Sequence, residues 1–231
     1  MKTCLFILFF SLTSVFCFSQ KQETRPLKSF SKVVAANRII AILQPGTESK
    51  VILNPEEGAW NEEVTTKVNG KELSIRSEGM FRDASMFCNV YYNQAITSLT
   101  AQYGGIIRTD SNSVLETKKL EIYATVDGFT NLNILVDELI IEAGSGSDIY
   151  VKGKAGKVTV HATNGAKVHL DDLECEDAIV TCTIGAKVWL TAKNNYKATA
   201  GSGGKIYYYT EPVGNFERSR ITGGNVELIS R

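Results

Sequence analysis

A glycine-rich phrase recurs about every twenty residues through the second half of the chain. Its clearest copies are TNGAKVHL at residues 163–170 and TIGAKVWL at residues 183–190. Five copies have a marker glycine at nearly constant spacing; these markers are Gly146, Gly165, Gly185, Gly203 and Gly223. Two weaker copies precede them, around residues 104–106 and 127–129. A period near twenty that holds over many copies is typical of a solenoid, in which each repeat forms one coil and packs on its neighbours.

Short runs with alternating apolar and polar residues flank each glycine phrase. One example is Val180-Thr181-Cys182 before the corner and Val188-Trp189-Leu190 after it. Alternation with period two predicts strands that bury one face. A glycine at each corner fits a residue that needs positive φ or has no room for a side chain. We therefore predict an all-β fold with a β-solenoid of about seven coils over residues 90–231.

Stacking the coils in register predicts which side chains fill the core. The small inward column consists of Ala143, Ala162, Cys182 and Ala200. The large inward column consists of Val151, Leu170, Leu190 and Tyr208. Because burial of a Leu or Val side chain stabilises a fold by about 1.5–3 kcal/mol, such columns can hold successive coils together.

The segment from residue 30 to residue 89 lacks the twenty-residue period and is predicted to be an N-terminal β module with a connector. Its strands are expected at residues 32–34, 39–43, 50–53 and 73–76, with a turn at 44–46. The Asn69-Gly70 pair predicts a hairpin. Residues 58–68 fit either a longer strand or a short helical turn, and residues 79–89 are predicted to connect this module to the solenoid.

The first nineteen residues have the layout of a secretory signal peptide. Lys2 precedes a continuous apolar run at residues 5–10, and small residues at Cys17 and Ser19 fit cleavage before Gln20. The alternative is a lipoprotein signal acylated at Cys17, which the bulky residue before it disfavours. Residues 20–29 are interpreted as an N-terminal tail.

No later apolar run approaches the ~20 residues that a membrane-spanning helix needs. We therefore expect a protein without a transmembrane span that is exported to the periplasm, to the outer-membrane surface or to the medium.

The charge balance and the cysteine content narrow the function classes. The 25 basic and 25 acidic residues argue against nucleic acid as a partner, since binding of phosphates needs a basic surface.

After signal removal, Cys88, Cys175 and Cys182 remain, so at least one thiol is free or pairs between chains. The pairing stays open, and Cys182 fits a small apolar core residue. Two histidines and no Cys-x-x-Cys spacing argue against a metal site, and no cofactor is expected.

Several phrases, in their order and spacing, resemble one family. They are residues 30–33 (FSKV), 39–46 (IIAILQPG), 144–149 (GSGSDI), 202–208 (SGGKIYY) with Pro212, and 223–229 (GGNVELI). In these phrases the chain is similar to the family described as "putative auto-transporter adhesin, head GIN domain", common in exported proteins of Bacteroidetes. The resemblance implies a right-handed β-helix-like fold, an exported location and no established catalytic residues.

The chain departs from the family pattern at two corners. Lys167 and Lys187 stand where the family usually has Asp. Any role of that acidic corner in other members therefore does not carry over to this chain.

The candidate binding surface is a row of outward-facing rings in the second strand of successive coils. The row consists of Tyr150, His169, Trp189 and Tyr207, and Glu227 ends it. Coils stack about 4.8 Å apart, so these side chains should form a ladder. An exposed ladder could bind a glycan or anchor an envelope protein. Alternatively, the rings stabilise the fold by packing on each other or under the N-terminal module.

Two other functions stay open at this point. The acidic cluster of Asp171, Asp172, Glu174, Glu176 and Asp177 could serve a polysaccharide-acting enzyme or bind Ca²⁺, although it also fits a solvated loop. The third function is purely structural, with self-association through the last coil at residues 221–231. His161 and His169 are expected on different faces of adjacent coils, which argues against their acting together. The favoured hypothesis is a non-catalytic, adhesin-like or scaffold domain of the cell envelope.

Overall fold

The structure is a computed structural model, and it describes residues 22–56, 59–78 and 85–230. Nineteen β-strands and one short 3-10 helix, Asn61–Glu63, make up its regular elements, so the predicted all-β fold is confirmed. The first nine strands are β1 Glu23–Pro26, β2 Lys32–Ala36, β3 Ile39–Pro45, β4 Lys50–Pro55, β5 Val64–Asn69, β6 Glu72–Ser77, β7 Met86–Tyr92, β8 Ser98–Gln102 and β9 Ile106–Thr109. The others are β10 Leu115–Thr125, β11 Phe129–Ala143, β12 Asp148–Ala162, β13 Lys167–His169, β14 Leu173–Cys182, β15 Lys187–Trp189, β16 Asn195–Gly201, β17 Lys205–Tyr208, β18 Phe216–Ile221 and β19 Asn225–Leu228.

From β8 onward, each strand pairs in parallel with the strand one coil later. Asp148 is in register with Lys167, Lys167 with Lys187, Lys187 with Lys205, and Lys205 with Asn225. Each of these residues lies two positions after one of the marker glycines, so the strand register repeats the spacing predicted from the glycines. The β-solenoid of about seven coils is therefore confirmed, and its right-handed sense stays a prediction.

Each middle coil has three faces, named here by their strands. Face A contains β2, β6 and β8, the C-terminal parts of β10, β11, β12 and β14, and then β16 and β18. Face B contains β3, β7 and β9, the N-terminal parts of β11 and β12, and then β13, β15, β17 and β19. Face C contains the N-terminal parts of β10 and β14 and the middle of β11 and β12.

The core runs along the solenoid axis, inside the three faces. All eight residues of the two predicted inward columns are buried, with Cys182, Leu190 and Ala200 fully so. The small column is in register from Ala143 through Ala162 and Cys182 to Ala200. Small side chains suit this column because it lies next to the tight corner between faces A and B.

Both predicted reasons for glycine at the corners occur side by side. Gly203 has φ of +76°, in the left-handed region that costs a residue with a Cβ more than it costs glycine. At Gly204, a Cβ would lie 2.2 Å from the carbonyl oxygen of Cys182 in the preceding coil. The corner therefore has room for backbone only at this position.

The N-terminal strands continue the same stack. β2 pairs in parallel with β8, and β3 with β9, although several other strands lie between these partners along the chain. β5 and β6 form the predicted antiparallel hairpin, and the segment before β5 is the 3-10 helix followed by a strand. The domain division near residue 90 stays a prediction.

The two ends of the stack differ. At the N-terminal end the outermost strands, β1 and β5, pair antiparallel with their neighbours. At the C-terminal end, among the residues that the structure describes, β18 and β19 pair in parallel with β16 and β17 only, and five of the six residues of β18 are exposed.

The predicted signal peptide, with Cys17, and residues 79–84 of the predicted connector lie outside the described residues. Within the described ranges, no helix has the length and apolar character needed to cross a membrane.

The three described cysteines are free thiols buried in the core. Burial raises the pKa of Cys88 and Cys175 to about 12 and that of Cys182 to about 11. Cys182 thus occupies the apolar core position that its sequence context predicts.

Candidate binding surface

Face B carries the predicted aromatic row in register. Tyr150 pairs with His169, His169 with Trp189, and Trp189 with Tyr207. The distances between successive ring centroids are 4.4, 4.2 and 5.2 Å, with interplanar angles of 2°, 7° and 21°. Phe129 extends the row beyond Tyr150, at 5.6 Å and a tilt of 39°. The row is therefore a continuous stack of rings that spans five coils.

The stacking determines what the row offers to a ligand. Each inner ring is covered on both faces by its neighbours, so only the ring edges and polar tips reach solvent. Tyr150 is 38% exposed, and the other three predicted rings are half-buried. On this face, β3 is separated from Tyr150 by β9 and β11, so the N-terminal strands do not cover the row. The rings therefore pack on each other and can also be reached from solvent.

His169 lies at the centre of the row between two carboxylates. Its Nε2 is 3.6 Å from Oδ1 of Asp148, and its Nδ1 is 3.8 Å from Oδ2 of Asp171. Burial lowers the pKa of His169 below 6.5, and this effect outweighs the two carboxylates, which act to raise it. Burial also raises the pKa of Tyr150, with a further contribution from the same two carboxylates. Both effects favour the uncharged forms of His169 and Tyr150 at neutral pH.

The columns on either side of the row are polar. On the side of the corner to face A, the registered residues are Asp148, Lys167, Lys187, Lys205 and Asn225. On the other side, the Tyr209 hydroxyl donates a hydrogen bond to Asp171. The row is thus bordered mainly by ammonium groups on one side, and by carboxylate, hydroxyl and, at Lys152, ammonium groups on the other.

The acidic cluster is dispersed from the edge between faces B and C, across face C, to the edge of face A, and its side chains contact neighbouring coils. Glu174 lies 3.5 Å from Lys154 and 3.4 Å from Lys193, and Glu176 lies 3.3 Å from Lys193. The Asn195 side-chain amide donates to Asp177 at 2.7 Å. In the described ranges, no group of three or more His, Cys, Asp or Glu side chains is placed to hold a metal ion.

The two histidines lie on different faces, as predicted. His161 is exposed in the face A part of β12, and His169 is half-buried in β13 on face B. They do not form one site.

Comparison with known protein families assigns the chain to one of them. The family model described as "Putative auto-transporter adhesin, head GIN domain" matches residues 29–212. The chain belongs to this family. A search of the curated proteins finds no match.

Solved structures share the fold at low sequence identity. A putative adhesin from Bacteroides fragilis superposes on the chain with a TM-score of 0.77 at 14% identity, over 91% of this chain and 98% of that one. A putative adhesin from Parabacteroides merdae has a TM-score of 0.71 at 14% identity, over 90% of this chain and 95% of that one. A structure from Parabacteroides distasonis described as a putative lipid binding protein has a TM-score of 0.69 at 14% identity, over 90% of this chain and 96% of that one. These likenesses show that the three structures share the fold of this chain.

Sequence reasoning missed two features of the surface. Phe129 lies one coil earlier and diagonally from Tyr150, so register alone did not place it in the row. Lys205 follows Lys167 and Lys187 at the coil period, and this regular spacing could have revealed the complete lysine column.

Proposed function

We propose that the protein is a non-catalytic, exported binding domain of the cell envelope and that it binds a glycan through the aromatic row on face B. The observation that carries this proposal is the accessible, registered stack of Tyr150, His169, Trp189 and Tyr207. The family description, that of an auto-transporter adhesin head, supports export and binding.

The stack favours binding by ring edges and polar tips over stacking of a sugar on a ring face. Tyrosine hydroxyls can donate and accept hydrogen bonds, and an indole N–H donates. A hydroxyl-rich ligand that lies along the row can bond to several rungs at once. Because the rings are held by their neighbours, little side-chain entropy is lost on binding.

One of the two grooves beside the row favours a polar ligand. This groove, of about 450 Å³, is lined mainly by polar and charged side chains, among them Arg108, Asp110 and Lys152. A site for an acyl chain would be lined mainly by apolar side chains, so this groove favours a sugar over a lipid tail. The other groove, of about 550 Å³, is lined by apolar residues such as Leu173 and Ile229 as well as by charged ones and does not discriminate between the two.

Replacing Trp189 tests the proposal, and the chain offers a matched control. Trp60 lies before the 3-10 helix and is 56% exposed. The wild type, Trp189→Ala and Trp60→Ala would be compared on a glycan array and in pull-downs from envelope extracts. We expect Trp189→Ala to lose binding, Trp60→Ala to keep it, and circular dichroism to be unchanged in both. Absence of any wild-type ligand, or equal binding by the two variants, would contradict the proposal.

Fluorescence gives an independent measure of the site. In a Trp60→Phe variant, Trp189 is the only tryptophan. A glycan that binds along the row should change its emission, whereas one that binds elsewhere should leave the spectrum as it is.

Self-association through the last coil is a second candidate, and one observation favours it. Ile221 in β18 and Leu228 in β19 are each 55% exposed, and both strands lie at the open C-terminal end of the stack. Light scattering before and after removal of residues 221–231 tests this function. An unchanged molecular mass would refute it.

A further inference from the structure

The lysine column beside the aromatic row is a regular array of positive charge. Lys167, Lys187 and Lys205 are in direct register on three successive coils. Neighbouring strands in a sheet lie about 4.8 Å apart, so the column repeats one ammonium group at that interval along the solenoid axis. Lys167 and Lys205 are exposed, and Lys187 is half-buried.

Among the described residues, four lysines elsewhere on the solenoid form ion pairs, whereas the three of the column do not. Lys119, Lys154, Lys193 and Lys197 each lie within 4 Å of a carboxylate, most of them on a neighbouring coil. Across the described part of the chain, the ammonium groups of the lysine column have no such carboxylate partner. The one carboxylate in the same column, Asp148, contacts His169 instead, at 3.6 Å.

Like charges placed directly opposite each other on adjacent strands destabilise a sheet. The column contains two such pairs, and the corners beside it carry no charge: their sequences are TNGA, TIGA and GSGG. The repulsion within the column opposes folding, whereas a ligand with repeated negative charges would relieve it.

We propose that the ligand of face B is a linear acidic polysaccharide, whose carboxylate or sulfate groups bind the column Lys167, Lys187 and Lys205 while its sugars lie on the edges of the aromatic row. This inference rests on the proposed function and specifies its substrate class. A polymer fits because the charges form a single line parallel to the row. The planar surface of an anionic membrane would match charges spread over a face in two directions. Ammonium groups donate only, and they bind anions strongly when these come within hydrogen-bond distance.

The test uses the full chain with defined polymers. Polygalacturonate and dextran sulfate carry the anionic groups, neutral dextran lacks them, and vesicles of phosphatidylcholine with phosphatidylglycerol present an anionic lipid surface. The test variant is the triple change Lys167→Gln, Lys187→Gln and Lys205→Gln. Its matched control changes the exposed lysines Lys67, Lys71 and Lys118 to Gln, which alters the net charge equally.

We expect the wild type to bind at least one acidic polymer in calorimetry, with an affinity that falls as salt rises. Loss of three charge contacts at the surface should weaken binding about tenfold in the test variant. The control variant should bind like the wild type, and thermal unfolding should show that both variants fold.

The outcomes separate this inference from the proposed function. Equal weakening in both triple variants, or binding to the vesicles alone, would overturn the inference. If neutral dextran binds, and binding is lost in Trp189→Ala but kept in the test variant, the inference fails while the proposed function stands. If the test variant loses binding to acidic polymers while Trp189→Ala keeps it, the lysine column is supported and the aromatic row is not the site.

Discussion

Replacing Tyr196 with Phe should stabilise the protein, because the hydroxyl that it removes is buried without a hydrogen-bond partner in the described structure. Tyr196 is 1% exposed, and its ring stacks on Phe216 at 5.3 Å with an interplanar angle of 3°. It also forms an edge contact with the ring of Tyr208, with a distance of 6.4 Å between the ring centroids and an interplanar angle of 87°. Phe keeps both ring contacts, so only the unpaired polar group is lost.

The size of the effect follows from the cost of burying such a group. A buried polar group that lacks a partner costs about 1–3 kcal/mol. Because the removed oxygen leaves a small gap in the packing, we expect a net gain of about 1 kcal/mol in the free energy of unfolding. For a chain of this length, that corresponds to a rise of about 2–4 °C in the midpoint of thermal unfolding.

Tyr208 provides the matched control. It is also buried, at 2% exposure, but its hydroxyl accepts a hydrogen bond of 3.0 Å from Nη1 of Arg218. Tyr208→Phe should therefore lower the free energy of unfolding by about 0.5–1.5 kcal/mol. Urea titrations and calorimetry of both variants measure the two signs. If Tyr196→Phe is destabilised as much as Tyr208→Phe, the Tyr196 hydroxyl has a partner and the reasoning is wrong.

Three further predictions concern the corner, the thiols and the centre of the row. Gly204→Ala forces a Cβ to within 2.2 Å of a carbonyl oxygen and should lower the urea midpoint by an amount equivalent to about 1–3 kcal/mol; an unchanged midpoint would refute the close approach. Iodoacetamide should leave Cys88, Cys175 and Cys182 unmodified in the folded protein near neutral pH, since burial raises each thiol pKa to about 11–12, and mass spectrometry should find them alkylated after denaturation. Because burial lowers the pKa of His169 below 6.5, the unfolded chain binds this proton more readily than the folded one. Stability should consequently fall as pH drops from 6.5 towards the folded pKa, and His169→Gln should flatten that part of the urea-midpoint profile.

The period of the glycines was sufficient to predict the solenoid and its core. Their nearly constant spacing determined which side chains share a column, since one coil must place equivalent residues on neighbouring strands. The small column through Cys182 followed from the same register. The pairings of β2 with β8 and of β3 with β9 could not be predicted, because the partners in both pairs lie 66 residues apart instead of one coil length apart.

The sequence predicted which residues form the candidate surface but not how their rings are arranged. Register placed Tyr150, His169, Trp189 and Tyr207 in one line, yet the ring orientations depend on side-chain rotamers that sequence spacing does not specify. Stacked rings present their edges, and this changes the ligand that the surface favours. The carboxylates beside His169 come from a neighbouring coil and from the end of its own strand, a juxtaposition that required the structure.

The open C-terminal end of the stack has a consequence for the order in which the molecule opens. β18 and β19 bond to one neighbour each, and nearly all of β18 is exposed, so little apolar contact holds the last coil. Its amides should exchange with deuterium first, and opening should proceed coil by coil towards the N-terminus, as in other one-dimensional stacks. β2 and β3 are bonded on both sides, to β6 and β8 and to β7 and β9, so their amides should be among the slowest to exchange. The aromatic row spans the gradient between these extremes, with Tyr207 on the fast-exchanging side and Tyr150 on the slow side.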